Sequence, residues 1–288
     1  MLIDLQTHST YSDGYLTPTE LAKFIAEQGV KTASLTDHNT VGGLDEFRAA
    51  CKKYNIKPII GLELYVKVEN HRINLLWFNF DEKNPELHEM LRQSQIRRKN
   101  QIRKALKKLT QAKLIKLDIE KTLDKYTRYT PINRIIDDIW QINQNRTLIK
   151  NRLKNNSPAE KEIIKEYFYN PEIGKLNNSY IDLARILKLR EKIGGQLVLN
   201  HPGKHNQFRK NLIISLKKIG VDGIEILSPH HSIGAIMFAQ HISTELKFIE
   251  TGGSDFHRHE GDKYSLQNSW QYFKIDSKYL KGIEKIIG

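Results

Sequence analysis

The chain has 288 residues, 39% of them hydrophobic and 27% charged, with one cysteine and 46 basic against 33 acidic residues for a formal net charge of +13. That composition fits a globular chain, excludes collagen-like and low-complexity polymers, and leaves Cys51 without a partner for an intramolecular disulfide. The first residues lack the basic-then-apolar pattern of an export signal and no apolar run is long enough to span a bilayer, so a soluble, cytoplasmic protein is expected.

In chain order, residues 2–5 read as a strand. Thr17, Pro18 and Glu20 then mark a helix start: an N-cap, a proline at the first helical position and the far side of a capping box. Leu21, Phe24 and Ile25 form the buried stripe of that helix, and Gly29 is its stop. Residues 32–36 make a second strand, 44–54 a second helix with Cys51 inside it as a structural residue, and 56–66 and 73–80 two more strands. From 84 to 178 strand patterns vanish and charged, helical periodicity takes over, broken at Asn155-Asn156-Ser157-Pro158 and Asn170-Pro171. Basic residues dominate the stretch 92–125, interrupted only by Asp118, Glu120 and Asp124. Such a field attracts polyanions; it is equally the solvated face of a lysine-rich helix.

The alternation then returns, with helices over 180–193, 208–219 and 233–246 and strands over 196–199, 223–227 and 247–251. Strands separated by helices predict a mainly parallel sheet, open or closed into a barrel. Residues 1–83 and 179–288 form this core, and 84–178 a helical, basic insertion.

Imidazoles and carboxylates gather at the ends of those strands. The first strand carries Asp4 and leads to His8 and Asp13, the second gives Asp37-His38, and the third contains Glu63. The later strands lead to His201, to His230-His231, and to Asp255 and His257. Singly, each is as well explained as a satisfied loop residue: Asp13-Gly14 is a turn dipeptide and Asp37-His38 a cap pair. Six strand ends in a row are better explained by a shared site, because such ends meet on one rim of a βα barrel. The mixed nitrogen and oxygen donors suit Zn²⁺, Mn²⁺ or Fe²⁺ rather than Ca²⁺ or a thiolate-bound metal. Paired cations of that kind clamp the attacking and leaving oxygens of a phosphoryl transfer. No nucleophile elbow, P-loop or dinucleotide fingerprint is present in the sequence.

Taken together, Asp4-Leu5-Gln6-Thr7-His8 with Ser12-Asp13-Gly14, Thr36-Asp37-His38, Gly61-Leu62-Glu63, Asn200-His201-Pro202 and Gly253-Ser254-Asp255-Phe256-His257 resemble the motifs of the PHP (polymerase and histidinol phosphatase) family. The motifs run in order over nearly the whole chain. They are most similar to the bacterial subgroup that dephosphorylates nucleoside 3′,5′-bisphosphates or degrades short RNA from its 5′ end, exoribonuclease AM among them. Glu69-Asn70-His71-Arg72-Ile73-Asn74 and Gly223-Ile224-Glu225 fit that subgroup as well.

The resemblance implies an α/β fold, a distorted seven-stranded (β/α) barrel with a helical insertion, and two or three divalent ions (Mn²⁺, Zn²⁺ or Fe²⁺). By it, Asp13, His38 and His257 hold one ion, while Gln6, His8, Glu63 and Asp255 surround another. Glu63 bridges toward a position completed by His201 and Asn74. Catalysis falls to His8, Asp13, Glu63, Asp255 and His257. Lys204 and His231 contact substrate, with His205 and His230 as further candidates, whereas His71, His88, His241 and His259 are structural. The implied reaction is metal-dependent hydrolysis of a phosphate ester on a phosphorylated nucleotide or a short RNA or DNA end, with no membrane and no obligate protein partner.

The chain also departs from the family pattern. Gln6 stands where the first motif has a histidine, Asn74 stands where another ligand histidine is expected, and Tyr129-Thr130-Pro131 replaces an Arg-x-His. These departures motivate an alternative, a catalytically impaired relative that binds nucleotide or RNA without turnover. A third reading uses the barrel only as a scaffold.

Overall fold

The computed structural model describes residues 1–177, 179–205, 209–258 and 272–288, the side chain of His205 excepted. Strand β1 (Leu2–Thr7) is buried from Ile3 onward, with apolar Ile3 and Leu5 alternating with polar Asp4 and Gln6. Helix α1 (Pro18–Glu27) opens on the expected capping box: Thr17 Oγ1 accepts from the Glu20 amide while Glu20 Oε2 accepts from the Thr17 amide. Strand β2 (Thr32–Leu35) and helix α2 (Leu44–Lys53) follow.

Strand β3 (Lys57–Val68) outruns its β2 partner, which it leaves at Ile60, and turns back through Glu69-Asn70 into β4 (His71–Phe78). That turn, with Glu69 at φ 51°, makes β4 antiparallel to β3 and starts it two residues before the position read from periodicity.

Two compact units divide the chain: Met1–Leu91, Tyr180–His257 and Tyr272–Gly288 form the first, and Arg92–Ser179 with Arg258 the second. Helix α3 (Pro85–Gln111) begins in the first unit, where Leu87, Met90 and Leu91 join the barrel core. The second unit holds the rest of α3 with α4 (Ile119–Asp124), α5 (Ile132–Trp140), α6 (Asn143–Leu153) and α7 (Glu160–Ile163), the last running into a π-helical turn at Ile164–Tyr169. Ile102, Leu106, Leu109, Ile135, Ile136, Tyr167 and Phe168 form its own core.

Its three acids within 92–125 are all engaged: Asp118 caps α4, Glu120 pairs with Arg103 at 2.8 Å and Asp124 with Lys99 at 3.7 Å. Where the family's Arg-x-His falls, Arg98 lies 4.4 Å over the Tyr129 ring and donates to the Thr130 carbonyl at 2.8 Å.

Back in the first unit come β5 (Ile181–Asp182), α8 (Leu183–Ile193), β6 (Gln196–Leu199), α9 (Lys210–Lys218), β7 (Gly223–Leu227), α10 (Ile233–Leu246), β8 (Ile249–Gly252), β9 (Ile275–Asp276) and α11 (Glu284–Ile287). The expected helix start at residue 180 moves to 183, because Asp182 caps α8 by accepting from the Ala184 amide and Ile181–Asp182 pair with β3. Phe208, the expected first residue of the next helix, lies outside the described residues.

Among the described residues the sheet has nine strands, ordered β8-β7-β6-β4-β3-β2-β1-β9 with β5 beside β3. The parallel bridge of Thr7 to Phe256 and the bond from the His8 amide to the Phe256 carbonyl (3.0 Å) join β1 to the segment after β8, so seven strands form a nearly closed ring. Only β4 runs antiparallel within that ring. The six strands that carry the candidate histidines and carboxylates therefore point the same way and share one rim, while Asn74 comes from the antiparallel β4. No helix among the described residues is long and apolar enough to cross a membrane.

The seam between β1 and β8 depends on a glycine. A β-carbon at Gly253 would lie 2.3 Å from Gln6 Cβ and 2.7 Å from the Gln6 nitrogen, so any side chain there forces the strands apart. Gly253→Ala is expected to cost about 1–3 kcal/mol, read as a drop of several degrees in thermal melting. An unchanged melting temperature would contradict this account of ring closure.

Candidate metal centre

The rim loops are fixed before any ligand-type side chain is placed. Asp37, at the end of β2, accepts from the Ser9 amide at 2.8 Å, from Ser9 Oγ at 2.6 Å and from Ser12 Oγ at 2.5 Å. It thereby pins the loop between His8 and Asp13. Asp4 does the same across the seam, accepting from the Ser254 amide at 2.9 Å, from Ser254 Oγ at 2.6 Å and from Tyr272 Oη at 2.5 Å. Burial pushes the Asp4 carboxyl up to about 6, against these hydrogen bonds. Asn39, His201 and Asp255 turn the chain at the rim with φ of 50°, 21° and 51°.

On that frame two groups of donor atoms converge. In one, His8, Asp13, His38 and His257 each offer an atom within 4.8 Å of all the others. His38 Nε2 lies 3.4 Å and His257 Nε2 3.3 Å from the Asp13 carboxylate, with His8 Nδ1 at 3.6 Å. In the other, His8, Glu63 and Asp255 meet under the same limit. His8 Nε2 is 3.1 Å from both Glu63 Oε2 and Asp255 Oδ1.

Glu63, inside β3 rather than after it and fully buried, is the hub of the cluster. Its carboxylate also accepts from Gln6 Nε2 at 3.3 Å and Asn74 Nδ2 at 2.6 Å, and lies 3.4 Å from His201 Nε2 and 3.8 Å from His38 Nδ1. Gln6 Nε2 donates as well to Asp255 at 2.9 Å.

Every residue expected as a ligand thus lies in one cluster. Gln6 and Asn74 enter it through amide hydrogens on the carboxylates.

The electrostatics follow from burial. Removal from water works against the charge on His8, yet hydrogen bonds to Asp255 and Glu63 and the charge of Asp13 hold its imidazole well above the ordinary value. Burial would raise the three carboxyls, but His38 and His257 beside Asp13, His38 and His201 beside Glu63, and Lys204 and His257 beside Asp255 hold all three well below the carboxylate range. Burial and then Lys204 push His201 down to about 4, leaving it neutral. Three ionised carboxylates in a buried cleft are balanced here by the imidazoles of His8 and His257, which they hold above the ordinary histidine value, a charge that a divalent cation replaces directly. Gln6 Oε1 and His8 Nδ1 are buried and make no hydrogen bond, so two polar atoms of this donor set are left unsatisfied. The residues present fit a bound divalent cation.

At the outer edge Lys204 Nζ lies 2.9 Å from Asp255 Oδ2 with its side chain 34% exposed, within reach of both the cluster and solvent. His231, expected to contact substrate, has its Nδ1 on the Ile226 carbonyl at 2.8 Å, and its Nε2 accepts from the Gly203 amide at 3.1 Å. Its neighbour His230 reaches the site instead, with Nε2 2.6 Å from Asp255 Oδ2. The side chain of His205 and all of His259 lie outside the described residues. Tyr65, which the sequence reading passed over, places its hydroxyl 3.1 Å from His38 Nε2. Its position two residues after Glu63 on one strand face was the available signal.

Comparison with known proteins bears on the family and the fold. The PHP domain model matches residues 4–183. A 5′-3′ exoribonuclease of Haemophilus influenzae is 26% identical over 88% of this chain and 89% of its own. A 3′,5′-nucleoside bisphosphate phosphatase of Chromobacterium violaceum is 27% identical, covering 88% of this chain and 87% of its own. Among solved structures, a Bifidobacterium adolescentis protein described as a candidate metal-dependent phosphoesterase superposes with a TM-score of 0.77 at 17% identity, covering 99% of this chain and 95% of the other. That likeness speaks for the fold alone.

Proposed function

The chain belongs to the PHP domain family, and on that premise we propose that it is a metal-dependent hydrolase of phosphate esters on nucleotides or short nucleic-acid ends, acting in the cytoplasm. The observation that carries this reading is the convergence of His8, Asp13, His38, Glu63, Asp255 and His257 from separate strand ends on shared points.

In this reading Asp13, His38 and His257 would hold one cation, and His8, Glu63 and Asp255 with Gln6 would hold another. Glu63, in contact with His201 and Asn74, would be shared with any further position. Mn²⁺, Zn²⁺ and Fe²⁺ all suit the donors. When bound, such cations neutralise charge on the phosphoryl oxygens and acidify the attacking water. Lys204 binds a phosphate oxygen at the open edge and orients the ester. His230, on Asp255 Oδ2 at 2.6 Å, is placed to hold a proton for the departing oxygen. Asp37 and Asp4 hold the loops still while this happens.

The non-catalytic alternative is not favoured, since the relatives are enzymes by name and the substituted Gln6 and Asn74 remain in contact with the cluster carboxylates. Phosphate release from nucleoside 3′,5′-bisphosphates and nucleotide release from short 5′-phosphorylated RNA, each assayed in Mn²⁺, test the reading. Activity abolished by a chelator is the expected result; no chelator-sensitive product from either substrate would overturn it.

A pH prediction follows from His8. Its pKa in the cation-free site lies above the ordinary histidine value, so it is protonated at neutral pH, and coordination must expel that proton. Cation affinity therefore rises with pH, by about tenfold per unit for each proton displaced. Calorimetry in buffers of different ionisation heat should show at least about one proton released as the site fills with cations at neutral pH; none released would contradict the charge balance described above.

A further inference from the structure

Beyond the cluster, the β3–β4 hairpin carries a second array. In register Tyr65 faces Asn74 and Lys67 faces Arg72, so alternation puts Glu63, Tyr65, Lys67, Asn74 and Arg72 on one surface. Glu63 and Asn74 belong to the cluster; Lys67 and Arg72 lie farther out and are exposed. From Glu63 to Lys67 the strand advances about 13 Å.

The planar groups along this surface touch in sequence. The Tyr65 ring stacks on His38 with centroids 4.5 Å apart and planes at 19°. Tyr180, just before β5, stands edge-on to Tyr65 at 6.2 Å, and the Arg72 guanidinium lies 5.2 Å over the Tyr180 ring. Both tyrosines are half-buried. Asp182, paired in register with Lys67, is an acid beside this strip, and its carboxylate accepts from the Ala184 amide at 2.9 Å.

We propose that this surface is a track for a single-stranded oligonucleotide, whose terminal phosphate sits in the cluster while the following nucleotides run out along the hairpin. The proposal rests on the phosphoesterase reading and names its substrate class as a strand rather than a mononucleotide. Aromatic and guanidinium planes stack bases of any sequence, and lysine and arginine interleaved with them follow the phosphates, a combination that suits single strands. A single phosphate needs only the cluster and Lys204; an aromatic and cationic surface leading away from them has work to do only for a longer chain.

The test is fluorescence anisotropy of 5′-phosphorylated, 3′-labelled hexa-adenylate with non-hydrolysable phosphorothioate linkages, bound to the Mn²⁺-loaded full chain across a series of KCl concentrations. Tyr180→Ala should weaken binding about tenfold while leaving the salt slope unchanged. Arg72→Gln should weaken it and reduce the log–log salt slope by about 0.7. Wild-type protein that does not bind the strand, or variants that bind it as tightly as wild type, would overturn the track. Arg72 is exposed and Tyr180 half-buried, and circular dichroism verifies the fold of both variants. This measurement does not depend on hydrolysis, so a failed track and a failed phosphoesterase reading are told apart by the chelator-sensitive assay.

Discussion

Glu63→Gln is expected to lower substrate hydrolysis by roughly 10²–10³-fold or more, the largest effect of any single substitution in the barrel. The carboxylate is fully buried and lies within 4 Å of five other side chains of the cluster: Gln6, His8, His38, Asn74 and His201. An amide of the same shape keeps the packing but removes the charge that both cation positions share. It also turns a hydrogen-bond acceptor toward donors into a group that must itself donate. Because the change is isosteric, melting should move little compared with activity. Product formation within threefold of wild type, at saturating Mn²⁺, would show that Glu63 is not the hub the geometry makes it.

Gln6→His works in the opposite direction. Gln6 stands between Glu63 Oε2 at 3.3 Å and Asp255 Oδ1 at 2.9 Å, donating to both through one amide nitrogen. An imidazole is the stronger ligand for Mn²⁺, Zn²⁺ or Fe²⁺, so affinity for the ion beside Glu63 and Asp255 should rise about 10–100-fold. Competition against a chromophoric chelator measures it. Equal affinity in the two proteins would mean that residue 6 lies outside the coordination of that ion, and that its amide serves only to space the carboxylates.

The sequence made some parts of this structure plain and hid others for identifiable reasons. Local signals were strong where side chain and backbone sit together. The Thr17–Glu20 capping box set the start of α1, and continuous apolar runs gave β6, β7 and α10 their observed bounds. The direction of β4 was not legible, because its reversal rests on a left-handed Glu69, a residue type that does not advertise such a turn. The ligand-type residues were legible as a set because each follows an apolar strand or, like Glu63, lies within one, and one barrel rim collects what the chain scatters.

The choice between His230 and His231 was not available from sequence. It is decided by the Ile226 carbonyl and the Gly203 amide, which capture His231 and leave its neighbour facing Asp255. Tyr65 was hidden likewise, since its contact with His38 arises from the bridge that sets His38 beside Glu63. Asp4 and Asp37 look like ligands in the sequence, yet their carboxylates are taken up by loop hydroxyls and amides.

Chemistry at this rim requires that donors as far apart in the chain as His8 and His257 enclose common divalent ions. An anomalous difference map from crystals soaked in Mn²⁺, collected at the manganese edge, observes that directly. We predict one peak enclosed by Asp13, His38 and His257 and another between His8, Glu63 and Asp255. A map with no peak at the rim, in crystals that show manganese bound elsewhere, would contradict it.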